Sequence, residues 1–445
     1  MRLADLATGP TLVLGFGREA RSLERVVLER VPGARVEVVC DKPPEIAPGH
    51  WPVHVSELSA FAANDAGHPA RVLRSPGVPV ESPVLAAWRE RGVPVTCISS
   101  LWFGERPDAR VIAVTGSKGK STTAALIAHL LRAAGFSVEL AGNIGRPVLN
   151  LVDAKPDWFV LELSSYQLAD LDGRADVGVI TRLFPEHQDW HGGVDAYYAA
   201  KLRLVELLNE RPLWTNAADR LLENTTSSLP GVRSANRAPG IHARDDGVFV
   251  GDRRLLARAD SPLTGRHNLD NIALALAVVA SLGADVDILV RALSDFAPLP
   301  HRIEPVAAAD SRTWIDDSIS TTPFSALAAL ESCRTPPVLI VGGLERGADW
   351  SEVAGYCRRR PLAGLVALPD NGPRIVSAIL DAGGVAADRV AYAENMEAAV
   401  RAAANLCPPG GCVLLSPGAP SFPHFRDFEQ RGEAFAEAVK VITAE

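Results

Sequence analysis

Short apolar runs alternate with longer amphipathic stretches along most of this chain. Runs such as TLVLGF, VEVVC, VIAVT and WFVLEL have the length of strands buried on both faces, and the stretches between them are helical in pattern. Strands that alternate with helices are typical of parallel sheets covered by helices. The pattern therefore predicts an α/β protein.

Two segments interrupt this alternation. The polar run GERPDAR (104–110) precedes an apolar strand, and FAPLPHR (296–302) follows a long alanine-rich helical stretch. Prolines disfavour a continuing helix and stiffen a connection, so both segments are interpreted as linkers. Because 445 residues exceed what one core usually holds, we expect three domains. The expected domains are 1–106, 107–298 and 299–445.

Composition narrows the class of protein. With 47% hydrophobic and 22% charged residues, disorder and fibrous repeats are excluded. A net charge of −8 argues against a nucleic-acid partner. No signal peptide and no run of about 18 apolar residues are found, so we expect a cytoplasmic protein without membrane insertion. We also expect a monomer, which these absences do not bear on. The six cysteines lack the spacing of a metal site and are expected to be reduced and buried. The stretch 227–243 is expected to be a surface loop.

The stretch VIAVTGSKGKSTTAALIAHLL joins an apolar strand, a glycine loop and an amphipathic helix. Gly116 and Gly119 permit a tight turn whose N–H groups converge on phosphate oxygens at the helix N-terminus. Lys120 adds a charge for the β- and γ-phosphates, and the hydroxyl of Ser121 or Thr122 is a candidate Mg²⁺ ligand. The pattern predicts an ATP and Mg²⁺ site. The predicted loop contacts are Gly116, Ser117, Lys118, Gly119, Lys120, Ser121 and Thr122.

A second glycine pattern lies near the N-terminus. Gly15, Gly17 and Ala20 have GxGxxA spacing after an apolar strand, and Asp41 ends the next strand, which is a dinucleotide-type fingerprint. Because a helix N-terminus accepts any pyrophosphate, the pattern fits a UDP-sugar as well as NAD. It therefore predicts a nucleotide or nucleotide-sugar site. The predicted contacts are Gly17, Arg18, Glu19, Asp41, Ser75 and Gly77, the last two in the turn of VLRSPGVP.

Acidic and histidine residues follow the central strands. Glu162 ends an apolar strand, where a carboxylate needs a cation or hydrogen bonds, and Mg²⁺ meets that need. Glu186, His187, Asp189 and His191 fall within six positions, which fits a zinc site or, beside a phosphate site, a second Mg²⁺. We favour Mg²⁺ because no third zinc ligand of convincing spacing follows. A structural role fits His191 equally well.

Five other polar residues stand out. Asn143 lies in the tight turn of AGNIGRP, and Gln167 follows the Glu162 strand, where a helix cap is the alternative role. Asn268 and Asn271 lie on one face at the start of a helix. Lys201 lies on a helix, where a lone lysine is usually a surface group.

TGSKGKSTT has two residues between its glycines, where the usual P-loop has four. It resembles the TGxxGK[ST] loop of the Mur ligases and folylpolyglutamate synthases. The resemblance continues through GNIG, LELSSYQL, FPEHQDWHGG, AAK, HNLDN, PHRIE and LLSPGAPSFPHFRDFEQRG, nearly the whole chain. Within the Mur ligase family these motifs resemble the UDP-N-acetylmuramoyl-L-alanine:glutamate ligases, and SSYQL and DFEQRG speak against a folylpolyglutamate synthase.

The resemblance implies a Rossmann-like N-terminal domain for the UDP end, a central P-loop ATPase-type α/β domain and a Rossmann-like C-terminal domain for the amino acid. It implies that glutamate is joined to UDP-N-acetylmuramoyl-L-alanine through an acyl phosphate, in the peptidoglycan synthesis that supports cell shape and division. It also implies catalytic roles for Lys120, His187 and a carbamylated Lys201. The implied Mg²⁺ ligands are Ser121, Glu162, His187 and Lys201; Asn143 and Gln167 contact substrate, and Asn268, Asn271, Arg302 and Asp317 bind ATP.

Two motifs depart from the common D-glutamate pattern. DSISTTP has Ile319 where the common motif DSKATN has lysine, and VGGLERGADW offers Arg346 where the common loop has lysine. Both resemble the variant ligases that add L-glutamate, so L-glutamate is expected. D-glutamate is the alternative, because Ser421 and Phe428 match positions that contact D-glutamate. The implied glutamate contacts are Thr321, Arg346, Ser421, Phe422 and Phe428.

Two functions from other classes remain as alternatives. A protein that senses UDP-sugars and nucleotides without ligating them would carry the same two phosphate-binding patterns. An NAD-dependent oxidoreductase is disfavoured, because it leaves the second phosphate loop unexplained.

Overall fold

The computed structural model describes these parts of the chain: residues 1–41, 48–56, 68–345 and 347–444. They form two compact units. One contains Met1–Ser261 and His267–Phe296, and the other contains Pro262–Arg266 and the chain from Ala297 onwards. Both units contain largely parallel sheets with helices, as the apolar runs predict. No helix of the described chain is long and apolar enough to cross a membrane.

The first unit begins with a five-stranded parallel sheet. Its strands and helices are β1 (Thr11–Leu14), α1 (Arg18–Arg30), β2 (Val36–Cys40), β3 (Val53–Val55), β4 (Arg71–Arg74), α2 (Pro83–Glu90), β5 (Val95–Cys97) and α3 (Ser99–Glu105). The strand order is β3-β2-β1-β4-β5. Because successive connections leave β1 in opposite directions, a crevice opens at the carboxyl ends of β1 and β4, where such sheets bind ligands.

A six-stranded parallel sheet follows in the same unit. Its strands are β6 (Val111–Thr115), β7 (Val138–Gly142), β8 (Trp158–Glu162), β9 (Val177–Ile180), β10 (Leu213–Asn216) and β11 (Val232–Ala235). They lie in the order β11-β10-β9-β6-β8-β7. The neighbouring helices are α4 (Lys120–Ala133), α5 (Ser165–Leu168), α6 (Gln188–His191), α7 (Val194–Leu202), α8 (Leu204–Leu208) and α9 (Arg220–Thr226). The central position of β6 brings its carboxyl end between those of β8 and β9, so polar residues after these strands meet at one edge.

A small antiparallel sheet and two helices complete this region. The sheet consists of β12 (Ile241–Arg244), β13 (Gly247–Val250) and β14 (Arg253–Ala257), and the helices are α10 (Arg266–Ala280) and α11 (Val286–Ala292). The stretch 227–243 was expected to be a loop, and that expectation was wrong, because it contains β11 and the start of β12. Strands of four residues are too short to show a clear period of two.

The second unit is built on a mixed six-stranded sheet. Its elements are β15 (Glu304–Val306), β16 (Thr313–Asp316), α12 (Pro323–Ser332), β17 (Val338–Gly343), α13 (Ser351–Arg359), β18 (Gly364–Asp370), α14 (Gly372–Asp381), β19 (Val390–Tyr392), α15 (Met396–Leu406), β20 (Cys412–Leu415) and α16 (Phe428–Ala444). The strand order is β15-β16-β20-β17-β18-β19, and β15 is antiparallel to β16. The other neighbouring pairs are parallel.

Strand β17 shows why these strands are apolar throughout. Leu339 and Val341 belong to one buried cluster, whereas Val338 and Ile340 belong to another. Successive side chains of a strand point to opposite faces, so both faces of this sheet are covered. A polar residue at any of these positions would be buried on one side or the other.

Candidate active site

The glycine loop between β6 and α4 has the backbone that phosphate binding requires. Gly116 has a φ of 141° and Gly119 a φ of 85°, both in the region that favours glycine. A Cβ on Gly116 would lie 2.1 Å from Oγ1 of Thr181, and one on Gly119 would lie 2.7 Å from Oδ1 of Asn271. Neighbouring side chains therefore enclose the loop so closely that only glycine fits at both positions.

Ser117 is committed to the protein itself. Its Oγ donates to the carbonyl of Phe184 at 2.8 Å and accepts the hydroxyl of Tyr197 at 2.9 Å. Its N–H donates to the carbonyl of Arg182 at 2.6 Å. These bonds anchor the loop to the segment after β9 and to α7, and the ATP contact predicted at Ser117 stays a prediction.

The lysines of the loop form a positive cluster beside the acidic Glu186. Lys120 Nζ donates to the carbonyl of Ser117 at 2.9 Å, and Lys118 pairs with Glu186 at 3.1 Å. Burial raises the pKa of Glu186, but the charges of Lys118 and Lys120 outweigh it, so its pKa lies below the ordinary value. Ser121 lies in the first turn of α4, half-buried. Buried Thr122 follows it.

Lys201 is buried, with only 1% of its surface exposed, and is not the surface group that a lone helical lysine usually is. From α7 its Nζ donates to the carbonyl of Gly116 at 2.6 Å and lies 4.7 Å from the ring centre of Tyr197. Burial, reinforced by the charge of Lys120, lowers the pKa of Lys201 well below its ordinary value. The amine is therefore held toward its neutral, nucleophilic form.

Glu162, at the end of β8, has one unsatisfied oxygen. The residue is 1% exposed, and its Oε1 accepts from Nδ2 of Asn143 at 2.9 Å. Its Oε2 is buried and has no hydrogen-bond partner among the described residues. A buried carboxylate oxygen without a partner is costly, and a hard divalent cation removes that cost. The residues at this position therefore fit Mg²⁺.

His187 and His191 flank the short helix α6 and have different surroundings. His187 is the N-cap, with an unusual φ of 53°. Although the residue is exposed overall, partial desolvation of its imidazole lowers its pKa, which favours the neutral form that ligates metals. His191 is buried, and its Nε2 lies 3.0 Å from Oγ of Ser165. Burial lowers the pKa of His191 to about 4. His191 therefore packs as a neutral structural group.

The zinc interpretation of this run is not supported. Glu186 pairs with Lys118, and Asp189 is exposed. Among the described residues, potential ligand atoms lie within 4.8 Å of one another in a different group, His301, Glu304 and Asp316. The sequence analysis did not predict that group. The three-residue spacing of His301 and Glu304 in PHRIE is the signal that could have indicated it.

Eight of the predicted substrate contacts line one cavity of about 530 Å³ in the first unit. They are Gly17, Arg18, Glu19, Asp41, Ser75, Gly77, Asn143 and Gln167. The cavity lies at the carboxyl ends of β1, β2 and β4 and extends to the turn after β7. This is the crevice where a doubly wound sheet binds nucleotides.

Glu19 and Gln167 in this cavity wall also hold each other. Nε2 of Gln167 donates to Oε1 of Glu19 at 2.6 Å, and Ser99 donates to Oε2 at 3.1 Å. Burial raises the pKa of Glu19. Gln167 also completes a capping box with Ser164, so the helix-cap alternative describes it as well.

Two residues behind the cavity are missed by sequence reasoning. Arg74, the last residue of β4, is fully buried and donates to both carboxylate oxygens of Asp170, at 2.9 and 2.5 Å. Trp190 donates from Nε1 to the carbonyl of Gly77 at 3.0 Å. A charged residue at the end of an apolar strand is the signal for Arg74. Nothing in the local sequence indicates the partner of Trp190.

The two asparagines of α10 are adjacent, as their spacing predicts. Nδ2 of Asn271 donates to Oδ1 of Asn268 at 3.0 Å. Because Oδ1 of Asn271 lies beside Gly119, the structure brings this asparagine to the glycine loop. Both asparagines are buried, which restricts their rotamers.

In the second unit, Asp317 follows β16 and is buried. Its Oδ2 accepts from the hydroxyls of Ser320 and Ser416, and its Oδ1 accepts from the N–H of Ile303 at 3.3 Å. Burial raises the pKa of Asp317 to about 6, although the serines and the charge of Arg302 act in the opposite direction. Arg302 and Asp317 remain predicted ATP contacts.

The predicted glutamate contacts are only partly assembled in this unit. Ser421 lines a cavity of about 550 Å³ together with Gly343, Phe425 and Arg431. Thr321 and Phe422 are exposed, and Phe428 is half-buried with its ring centre 6.2 Å from that of His301. Those three residues do not line the cavity. Arg346 lies outside the described residues.

Two families of known domains match this chain. The Mur ligase middle domain matches residues 114–279, and the Mur ligase, glutamate ligase domain matches residues 301–419. A UDP-N-acetylmuramoyl-L-alanine--L-glutamate ligase of Micromonospora sp. is 41% identical over 99% of this chain and 98% of its own length. Ligases of the same name from Salinispora tropica (99% of each chain) and Xanthomonas euvesicatoria (98% of this chain, 96% of that protein) are 39% and 38% identical.

Solved structures show the same fold at lower identity. The UDP-N-acetylmuramate-alanine ligase MurC of Thermotoga maritima aligns with a TM-score of 0.61 and 18% identity over 96% of this chain and 98% of that chain. The MurF ligase of Thermotoga maritima in complex with ADP aligns with a TM-score of 0.60 and 16% identity over 99% of each chain.

Proposed function

We propose a specific reaction for this chain, which belongs to the Mur ligase family and is an ATP-dependent, amide-bond-forming ligase. The proposed reaction joins L-glutamate to the alanine carboxylate of UDP-N-acetylmuramoyl-L-alanine in peptidoglycan synthesis, the reaction for which similar proteins are named. The carboxylate attacks the γ-phosphate of ATP, giving an acyl phosphate and ADP. The amine of glutamate then attacks the acyl carbon, and phosphate leaves.

The position of Asn143 is the observation that carries this proposal. Asn143 lines the cavity assigned to the UDP substrate and donates to Glu162, the carboxylate that fits Mg²⁺. One side chain therefore borders both the acceptor and the metal position, as a transfer from nucleotide to acceptor requires.

The chain's own contribution is positioning and charge. The N–H groups of the Gly116–Gly119 loop other than that of Ser117, together with the N-terminus of α4, hold the phosphates, and the positive charge of Lys120 offsets the negative charge that develops on the γ-phosphate. Asn271 stays beside the loop through its hydrogen bond to Asn268. When bound, Mg²⁺ would neutralise phosphate charge, and Ser121, Glu162 and His187 are the residues that would hold it.

Lys201 is proposed to be carbamylated and so to add a carboxylate to the metal site. The lowered pKa supports this proposal, because the neutral amine is the form that reacts with CO₂. Mass spectrometry of protein kept in bicarbonate would detect the modification, and short carboxylic acids should rescue Lys201→Ala. Absence of both modification and rescue would contradict this role.

The preference for L-glutamate rests on DSISTTP and GGLERGADW and on the names of the relatives. Phosphate release should be measured with ATP, Mg²⁺ and UDP-N-acetylmuramoyl-L-alanine, adding L-glutamate or D-glutamate in parallel. Release with L-glutamate only is expected. Release with D-glutamate only would establish the other enantiomer, and ATP binding without turnover in either mixture would favour the sensor.

The remaining expectations stand as proposals. We propose that three domains, 1–106, 107–298 and 299–445, divide the work between the UDP substrate, ATP and glutamate. We also propose that the protein acts as a monomer in the cytoplasm, where ATP is available.

A further inference from the structure

We propose that Trp190 is a positioning residue for the acceptor substrate and acts through the carbonyl of Gly77. The inference rests on the proposed function, which assigns the acceptor to the cavity that Gly77 lines. Trp190 itself does not line that cavity. It contacts the wall formed by residues 75–78 through the carbonyl of Gly77.

Side-chain donors hold the backbone carbonyls of the wall 75–78. Arg74 donates to the carbonyls of Ser75 (3.2 Å), Pro76 (3.3 Å) and Val78 (2.8 Å). The carbonyl of Gly77 accepts from Trp190 Nε1 at 3.0 Å. Each of the four carbonyls therefore has a side-chain donor, and Trp190 supplies the one that Arg74 does not.

Gly77 lines the cavity and has open space where a side chain would stand. A Cβ on Gly77 would meet no atom within 4 Å, so the absence of a side chain is not required by packing. Glycine at such a position lets a ligand approach the backbone closely. A shift of the Gly77 peptide would therefore change its contacts with a ligand in this cavity.

The ring of Trp190 is held in place by its neighbours. It stacks on Tyr166, with ring centres 4.3 Å apart and an interplanar angle of 26°, and it meets His191 edge-on at 4.4 Å. The guanidinium of Arg74 lies 5.6 Å from the ring centre. These contacts fix the direction of the indole N–H. Trp190 lies on α6, the short helix whose N-cap is His187, so it ties the acceptor wall to the segment that carries the predicted metal ligand.

Trp190→Phe tests the inference, because phenylalanine keeps an aromatic ring for stacking and removes the donor. Trp214→Phe is the matched control, since Trp214 is also half-buried and its Nε1 has no hydrogen-bond partner in the described part of the chain. Calorimetric titration should be made separately with UDP-N-acetylmuramoyl-L-alanine and with ATP and Mg²⁺. We expect Trp190→Phe to weaken acceptor binding about threefold to tenfold and to leave ATP binding unchanged.

Three outcomes would overturn the inference. Unchanged acceptor affinity in Trp190→Phe, an equal loss in Trp214→Phe, or an equal loss of ATP affinity would each show that the hydrogen bond to Gly77 does not position the acceptor. If the wild-type protein bound no UDP-N-acetylmuramoyl-L-alanine, the proposed function would fail together with this inference. Normal binding by both the wild type and Trp190→Phe would refute the inference alone.

Discussion

Arg74→Met is expected to lower the free energy of unfolding of the first unit by about 3–5 kcal/mol, because removing one member of a buried ion pair leaves the other charge unpaired. The side chain of Arg74 is 0% exposed and that of its partner Asp170 is 14% exposed. Methionine fills much of the volume of the arginine stem, so the variant chiefly removes charge and donors. The carbonyls of Tyr166 and Val78 also lose donors at 2.7 and 2.8 Å, which places the effect toward the upper end of that range.

Urea unfolding followed by circular dichroism measures this free energy. Arg253→Met is the control, because its 2.8 Å pair with Asp287 is 55% exposed on both sides and should contribute no more than about 1 kcal/mol. The double variant Arg74→Met/Asp170→Leu should recover much of the loss, since it buries no unpaired charge. A loss in Arg74→Met no larger than that in Arg253→Met would refute the reasoning.

Three further predictions concern the proposed sites. Gly116→Ala should abolish ATP binding in calorimetry, since its Cβ would lie 2.1 Å from a neighbouring oxygen. Gly135→Ala should retain it, because Gly135 also has a positive φ (90°) but a Cβ there would meet no atom within 4 Å. Equal binding would contradict the steric argument. Asn143→Ala should lower kcat/KM about 10–100-fold and raise the Mg²⁺ concentration needed for activity, because Glu162 loses the hydrogen bond from Asn143. An unchanged dependence of the rate on Mg²⁺ concentration would contradict this prediction. Burial raises the pKa of Asp317 from 3.8 to about 6, so its protonated form stabilises the second unit at low pH, and that stability should fall as pH rises from about 4 through 6. In unfolding measured over this pH range, Asp317→Asn should flatten the dependence of the free energy of unfolding on pH. An equal dependence in the variant and the wild type would contradict the prediction.

The phosphate loop and the parallel sheets were predictable because their signals are local. Apolar runs mark the strands, and the spacing of Gly116 and Gly119 requires a turn that few other residues can make. Polar residues that follow the apolar strands were also predictable as neighbours at one edge of the sheet, and Glu162 lies at that edge.

Contacts distant in sequence were not predictable from local pattern. Arg74 and Asp170 are 96 residues apart, and Trp190 and Gly77 are 113 residues apart. The burial of Lys201 is likewise a tertiary effect, since its helix gives no local sign that this position faces the Gly116 carbonyl.

Mass spectrometry of the reaction product tests the central claim most directly. Wild-type protein, ATP, Mg²⁺, UDP-N-acetylmuramoyl-L-alanine and L-glutamate should give one product that is heavier than the acceptor by one glutamyl residue, with one ADP formed per product, and Lys120→Ala should give neither. ADP formation without a glutamyl product, or product formation by well-folded Lys120→Ala, would contradict the account.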